Sequence, residues 1–144
     1  MMTLHPDELT RLFHAEHWNP FAVLGPHSVT KNGQHVVVVR AFLPEAATAK
    51  LLADELGAFP MTRIHDEGLF EATIPQNIRS ASYQLQVTDL IGAVTQRHDP
   101  YAFQNLISDF DLHLFAEGRL YRAYQMFGAH CMQIDGIAGV RFVV

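Results

Sequence analysis

The stretch Tyr83-Gln84-Leu85-Gln86-Val87-Thr88 shows the clearest alternation of apolar and polar residues in the chain. Successive side chains of a β-strand point to opposite faces, so a period of two predicts a strand with one buried face. Less regular strand patterns occur in residues 36–43, 47–53, 61–64, 70–74 and 94–97. No helical pattern of useful length interrupts residues 32–97, which argues against a parallel sheet joined by helices. The sequence therefore predicts an all-β, antiparallel sandwich.

The turns and buried faces of this sandwich follow from the same pattern. Asn32-Gly33 predicts a tight hairpin, because Asn-Gly accepts a positive φ at both central positions of the turn. Arg40 is expected on the face opposite the core. The residues expected to face the core are Val37, Val39, Ala41 and Leu43, then Ala47, Ala49, Leu51 and Ala53, then Phe70, Ala72 and Ile74, and finally Tyr83, Leu85 and Val87.

Short helices are predicted on both sides of the strands. Pro6 and the two carboxylates that follow it suit the first turn of a helix, which Asn19-Pro20 should end near His17. Ser108 is a suitable cap for a helix that reaches Phe115, and residues 120–127 are predicted to form a second short helix. The predicted organisation is an N-terminal helix (1–17), a first β-sandwich module (18–100), a helical connector (101–127) and the start of a second module (128–144).

The last residues repeat an earlier segment. Residues 140–144 and residues 39–43 both begin with Val-Arg and continue with apolar residues, and both follow a glycine turn, Asp135-Gly136 or Asn32-Gly33. Such similarity indicates two tandem copies of one module, with chance as the alternative. We expect the second copy to be cut inside its first strand. Residues 140–144 would then lack a partner and be disordered, folded back on the sandwich, or paired with another molecule.

Composition excludes several classes of function. The hydrophobic fraction of 49% and charged fraction of 17% are typical of a globular protein. A net charge of −5 argues against nucleic acid and anionic membranes as partners. The single cysteine, Cys131, excludes an internal disulfide and fits a reducing compartment. The N-terminus shows neither a basic nor an apolar signal region, so a cytoplasmic location is expected.

Four segments carry a close resemblance to one family: residues 19–27, 39–46, 98–103 and 117–142. In order and spacing they resemble the N-terminal end of bacterial 1,4-α-glucan (glycogen) branching enzymes. The resemblance implies that residues up to about 100 form an immunoglobulin-like β-sandwich. It also implies that residues from Gly128 onward begin a second module, the carbohydrate-binding module of family 48, which an α-amylase-type barrel would follow.

The same resemblance implies an activity for the parent enzyme. Such enzymes cleave an α-1,4-glucan and transfer the freed segment to a 6-hydroxyl group, using one carboxylate as nucleophile and another as acid/base. The motifs around those carboxylates belong to the barrel, and no residue of this chain matches them. We therefore expect no catalytic residue and no cofactor here, and no activity from the fragment alone.

Weak glucan binding is the main functional hypothesis. The apolar face of a pyranose stacks on exposed aromatic rings, and the candidates outside the predicted core are Trp18, Tyr101 and Tyr121. The module would then help to select the chain lengths that the attached enzyme transfers. In the alternative hypothesis these rings hold the helix and the connector on the sandwich, and the module is a structural spacer that packs on the rest of its own chain.

Other chemistry has little support in the sequence. His14 and His17 would share a helix face near Glu16, but the segment offers no third metal ligand. His27, after Gly25-Pro26, is expected to hydrogen-bond a carbonyl of the turn. The acidic pairs Asp54-Glu55 and Asp66-Glu67 should be solvated in turns, whereas Asp109 and Asp111 suit the first turn of a helix. No metal site is predicted.

Overall fold

A computed structural model describes residues 4–75, 82–103 and 106–144 of the chain. The chain divides into two compact units, Met1–Ala102 and Phe103–Val144. Residues 1–3 of the predicted N-terminal segment and residues 104–105 of the predicted connector lie outside the described residues. The boundaries of the four predicted segments stay a prediction.

The first unit is a seven-stranded antiparallel sheet folded into two layers. Its strands are β1 Gly25–Lys31, β2 Gln34–Phe42, β3 Ala46–Ala53, β4 Gly57–His65, β5 Leu69–Ile74, β6 Tyr83–Asp89 and β7 Val94–Arg97. They follow the order β1-β2-β5-β4-β3-β6-β7. The first half of β4 pairs with β3 and the second half pairs with β5, so this one strand joins the layers. Their order, β1-β2-β5-β4 over β3-β6-β7, is that of an immunoglobulin-like sandwich. The all-β prediction is confirmed.

The core lies between the two layers and contains most of the predicted residues. Val37, Val39 and Ala41 of β2 are buried together with the inward side chains of β3, β5 and β6. One prediction was wrong: Ala47 is exposed, and Ala46 is buried in its place. A β-bulge between Ala46 and Thr48 shifts the register there, which a strict period of two cannot show.

A short helix covers the outer face of the β1-β2-β5 layer. This helix, α1, spans Pro6–Phe13, with acidic residues in its first turn as predicted. Leu12 is buried in a second apolar cluster with Val23, Leu24 and Leu69. The helix ends at Phe13, before the predicted His17, and Ala15 then takes a positive φ of 57°. His14 and His17 therefore do not share a helix face.

The second unit begins with helix α2, Asp109–Ala116. Ser108 caps it in a reciprocal arrangement with Asp111, which confirms the predicted start. The predicted second helix over residues 120–127 is wrong, since only a 3-10 helix, Ala123–Gln125, forms there. Gly128, with φ of 94°, turns the chain into a strand after that single turn. Neither α-helix in the described part of the chain has the length and hydrophobicity needed to cross a bilayer.

A hairpin follows, formed by β8 (Gly128–Ile134) and β9 (Ile137–Val143). Val140 pairs with Cys131 and Phe142 pairs with Ala129. The expectation that residues 140–144 lack a partner was therefore wrong, and so was the expectation of a single strand. The apolar end of the chain pairs with the strand before it, because Asp135-Gly136 forms a tight turn with positive φ at both positions.

The two hairpins begin in the same way. The 3-10 helices Pro20–Ala22 and Ala123–Gln125 have matching backbone hydrogen bonds. Two residues separate each from a glycine with positive φ, Gly25 or Gly128, which starts the first strand. The counterparts are 103 positions apart in the sequence.

The match continues along both hairpins. A ring nitrogen of His27 lies 3.2 Å from the carbonyl oxygen of Leu24, and one of His130 lies 2.9 Å from that of Phe127. Both turns, Asn32-Gly33 and Asp135-Gly136, have positive φ at the two central residues. The structure thus supports the predicted repeat but corrects its alignment: Val140 occupies the position of Val37, not that of Val39.

Gly25 provides a test of this packing. Its φ is 83°, and a Cβ added there would lie 2.3 Å from the carbonyl oxygen of Tyr101. Gly57 has a similar φ of 93° but faces open space, so Gly57→Ala is the matched control. We expect Gly57→Ala to cost about 1 kcal/mol from backbone strain, and Gly25→Ala to cost at least about 2 kcal/mol more, because the backbone must move. Urea unfolding of both variants measures this difference, and equal losses would contradict the proposed close contact.

Candidate functional site

Trp18 lies in the loop between α1 and the first 3-10 helix. Its side chain is 83% exposed. The loop beneath it is held by the backbone N–H of Asn19, which donates a hydrogen bond to Nδ1 of His17 at 3.1 Å. An exposed indole on an ordered loop is the type of surface on which the apolar face of a sugar stacks. The structure therefore leaves the Trp18 ring free to contact a ligand.

Tyr101 is in a different environment. Its ring is half-buried and meets Phe21 edge to face, with ring centroids 5.2 Å apart. It also packs against the second apolar cluster, around Leu24 and Leu69. Burial raises the pKa of the Tyr101 hydroxyl, and the nearby charge of Asp99 raises it further. The packing role that the spacer hypothesis assigns to these rings thus describes Tyr101 well.

Tyr121 belongs to the second unit, between α2 and the 3-10 helix Ala123–Gln125. Its side chain is 88% exposed, and the neighbouring Tyr124 is also exposed. Trp18 and Tyr101 lie in the first unit, so the structure describes the three candidates in two separate parts of the chain. Trp18 and Tyr121 offer free ring faces, whereas most of the Tyr101 contacts are internal.

Asp99 is the most buried polar residue near these candidates, with only 1% of its surface exposed. One carboxylate oxygen accepts a hydrogen bond from the Tyr83 hydroxyl at 2.7 Å, and the other accepts one from the backbone N–H of Tyr101 at 2.9 Å. Burial raises the pKa of Asp99, although both hydrogen bonds oppose this effect. The sequence reasoning missed this role. A tyrosine at an inward position, whose hydroxyl needs a partner, was the available signal.

A second buried polar group lies on the outer face of β2. Arg40 is buried and donates from Nε to Oε2 of Glu71 on β5, at 2.8 Å. The two residues are direct neighbours across the strands. Arg40 lies opposite the core as predicted, but its ion pair with Glu71 was not anticipated. The pair compensates the buried charge of Arg40 through Nε, while its Nη1 has no hydrogen-bond partner among the described residues.

His27 also has a structural role. Its Nε2 lies 3.1 Å from the carbonyl oxygen of Val23 and 3.2 Å from that of Leu24, which confirms the predicted contact with the turn. Because carbonyls only accept, Nε2 carries the hydrogen. Burial lowers the pKa of His27, and the positive charge of Arg40 lowers it further. The neutral ring is therefore the form that the fold favours.

The remaining candidates are distributed over turns, a helix and a strand of the described residues. Within the described residues, no group of three histidine, cysteine or acidic side chains is arranged to hold a metal ion. The pairs Asp54-Glu55 and Asp66-Glu67 lie exposed in turns. Asp109 and Asp111 occupy the first turn of α2, as predicted. Cys131 is exposed on β8.

Comparison with known proteins gives a consistent result. Residues 5–101 match the family model described as alpha-1,4-glucan branching enzyme GlgB, N-terminal domain. The chain is 41% identical, over 99% of its length, to the 1,4-alpha-glucan branching enzyme GlgB of Thermosynechococcus vestitus. It is 41% identical over its full length to that of Rhodopseudomonas palustris strain BisA53, and 43% identical over 99% to that of Bradyrhizobium sp. strain ORS 278. The chain spans 19% of the length of each of these relatives.

The bond between Tyr83 and Asp99 can be tested by removing one hydroxyl. Tyr83→Phe leaves the buried carboxylate without its side-chain donor, so we expect a loss of about 1–3 kcal/mol in the free energy of unfolding. Tyr121→Phe removes the same atom from an exposed ring and should change stability by less than about 0.5 kcal/mol. Denaturant unfolding at neutral pH gives both values. A Tyr83→Phe variant as stable as the wild type would show that the bond contributes little.

The pH dependence of stability tests the state of His27. Its pKa in the fold lies below the value of about 6.5 expected in the unfolded chain. Between these values the unfolded state binds more protons, so the contribution of the neutral ring is complete above about pH 6.5 and is lost as the pH falls through the folded pKa. The free energy of unfolding should therefore decrease more steeply on acidification in the wild type than in His27→Gln. Parallel curves for the two proteins would contradict this interpretation.

Proposed function

The chain belongs to the family of N-terminal domains of alpha-1,4-glucan branching enzyme GlgB, and from this premise we propose that it is a non-catalytic accessory module of such an enzyme. The whole enzyme would cleave an α-1,4-glucan and form α-1,6 branches in glycogen biosynthesis, in the cytoplasm. The observation that carries the proposal is the match of residues 5–101 to that family.

The proposed lack of a catalytic role is consistent with how Asp99 and Glu71 are used. Retaining glycosyl transfer needs two carboxyl groups on either side of the scissile bond, about 5 Å apart. Asp99 cannot reach a polymer, because it is buried and already accepts two hydrogen bonds. Glu71 is partly exposed and is paired with the buried Arg40. Both carboxylates therefore make internal contacts that stabilise the fold.

The repeated hairpin supports the proposed division into modules. We assign residues 18–100 to the first sandwich and residues from Gly128 onward to the start of a second, the carbohydrate-binding module of family 48. Hairpins that match in their 3-10 helix, first glycine and turn are what two copies of one fold would share. The segment 101–127 then connects them.

Glucan contact is proposed for the exposed aromatic side chains, with Trp18 as the main residue. A single stacked sugar gives weak binding, yet an extra attachment point raises the local concentration of a polymer near the active site. Such contacts would influence which chain lengths the enzyme transfers. Tyr121 is exposed in the same manner, whereas Tyr101 would contribute only through the part of its ring that Phe21 leaves free.

A structural spacer is the second candidate, and a specific feature favours it. Leu90, Ile91 and Val94 are exposed at the end of the first unit where β6 turns into β7. Asp89 holds this turn by accepting hydrogen bonds from the backbone N–H groups of Ile91 and Ala93. An ordered apolar turn of this kind suits packing against another protein domain. In this function no sugar would bind.

Affinity electrophoresis in native gels containing glycogen distinguishes the two functions. We expect the wild-type chain to be retarded, and Trp18→Ala to lose about 1 kcal/mol of stacking energy, which is roughly five-fold in affinity. Ile91→Ala removes another exposed apolar side chain of the first unit and should migrate like the wild type. Unretarded migration of the wild-type chain would support the spacer function, and equal retardation of wild type and Trp18→Ala would exclude Trp18 as the contact.

A further inference from the structure

The repeat begins before the hairpins, at the two α-helices. α1 spans Pro6–Phe13 and α2 spans Asp109–Ala116, so their ends are separated by the same 103 positions as the 3-10 helices that follow them. The side chain of the residue before each helix, His5 or Ser108, accepts a hydrogen bond from a backbone N–H of the first turn. The repeated unit is therefore a capped helix, a loop, a 3-10 helix and a hairpin.

The two helices also end in the same way. In the first unit the backbone N–H of Glu16 donates to the carbonyl oxygen of Arg11 at 2.8 Å, across Ala15, which has a positive φ. A bond of this span across a left-handed residue defines a Schellman motif. The second unit has the same bond at the same length, 103 positions further on, with Gly118 as the left-handed residue. The chain therefore leaves both helices with the same backbone geometry.

Apolar side chains occupy matching positions around the two loops. Leu12 of α1 is buried in one cluster with Val23 and Leu24. In the second unit, the rings of Phe115 on α2 and Phe127 are in contact, with centroids 4.7 Å apart. These two phenylalanines are the counterparts of Leu12 and Leu24. Apolar packing thus joins the helix to the start of the hairpin in both units.

Trp18 and Tyr121 are counterparts in this repeat. Each is the fifth residue after its helix, and each is strongly exposed. A strongly exposed position places no packing demand on its side chain, and polar or charged residues are its usual occupants. A large aromatic ring at the same exposed position of both copies therefore points to a function that the copies share, because the fold does not require it.

A hydrogen bond orders the loop beneath each ring. The backbone N–H of Tyr121 donates to the carbonyl oxygen of Arg119 at 3.0 Å, and that of Asn19, next to Trp18, donates to the His17 ring. A ring on an ordered loop loses less conformational freedom when a ligand binds. Both rings are thus prepared for contact in the same manner, although the bonds differ.

The charges beside the two rings differ, which limits the class of ligand. Glu16 lies two positions before the first ring. Beside the second ring, Arg119 is paired with Glu117 at 3.3 Å, and Arg122 adds a positive charge directly after the ring. A charged ligand would be attracted at one ring and repelled at the other. A neutral ligand with an apolar face suits both, and the pyranose of an α-glucan is such a ligand.

We propose that Tyr121 forms a second stacking platform for neutral α-glucan, equivalent to that of Trp18, so that each unit of the chain carries one platform. A stacking platform here means an exposed aromatic ring on an ordered loop. This inference rests on the proposed glucan contact of Trp18 and adds a separate site for the same class of ligand.

Two platforms change how the chain binds a polymer. A glycogen particle offers many glucan chains, so a particle that engages both platforms is held more tightly than by either platform alone. The effects of removing the two rings should then multiply, because the rings belong to separate units. In native gels containing glycogen, Tyr121→Ala should weaken binding about three-fold, and Trp18→Ala combined with Tyr121→Ala about fifteen-fold.

Two further variants show whether the ring of Tyr121 is responsible. Tyr121→Phe keeps the ring face and should be retarded like the wild type. Tyr124→Ala should also migrate like the wild type: Tyr124 is another exposed tyrosine of the same unit, but its counterpart Phe21 is packed against Tyr101. If the wild type is retarded and Tyr121→Ala is retarded equally, the proposal is overturned.

Nuclear magnetic resonance of the tyrosine rings locates the second platform. In the intact chain, labelled at its four tyrosines, maltotriose should give a saturable shift at Tyr121 and none at the buried Tyr83. Trp18→Ala should leave the Tyr121 shift in place. A shift at only one of Trp18 and Tyr121 would overturn the equivalence, and at Trp18 alone it would leave the proposed function standing. No shift at either ring would contradict the proposed function as well.

Discussion

The hydrogen bond from the Tyr83 hydroxyl to the carboxylate of Asp99 is the interaction on which the first unit depends. A carboxyl group this deeply buried is stable only when its oxygens are satisfied. Tyr83 at the start of β6 satisfies one oxygen, and the backbone of Tyr101 satisfies the other. The segment that follows β7, from Asp99 to Tyr101, is thereby fixed to the sandwich. This in turn places the Tyr101 carbonyl against Gly25, where only a glycine leaves enough room.

The buried polar side chains of the first unit therefore serve the fold, whereas the exposed side chains remain available to contact a ligand. Asp99 and His27 are hydrogen-bonded within the first unit, and Arg40 is paired with Glu71 through Nε, although its Nη1 has no hydrogen-bond partner among the described residues. The side chains with free surface are aromatic or aliphatic, and Trp18 is the largest among them. The family of the chain is that of the N-terminal domains of glucan branching enzymes, and the accessory function proposed for it depends on this exposed ring.

The alternation of apolar and polar residues predicted most of the fold, because burial of one strand face leaves a direct trace in the sequence. It located the inward residues of β2, β5 and β6 and the hairpin at Asn32-Gly33. It failed at Ala47, where a bulge shifts the register, and at residues 120–127, where a 3-10 turn replaces a helix. Both failures arise from local backbone geometry, which the alternation of apolar and polar residues does not reveal.

The candidate site was predicted less completely, for a related reason. Residue type suggested Trp18, Tyr101 and Tyr121 alike, but only packing against Phe21 distinguishes Tyr101 from the others. The partnership of Tyr83 with Asp99 joins residues 16 positions apart, and neither residue is unusual by itself. The prediction for the end of the chain was wrong because it considered only pairing strands that would follow residues 140–144. The strand that pairs with them, β8, precedes them in the sequence.

The central claim is that the single tryptophan contacts α-glucan from a module whose buried Asp99 and Arg40 serve the fold. A nuclear magnetic resonance titration of the intact chain with maltoheptaose measures this directly, since the indole N–H of Trp18 gives one isolated signal. The account predicts a saturable shift of that signal at millimolar ligand, while the amides of the sandwich core remain unchanged. An indole signal that stays fixed throughout the titration would contradict it.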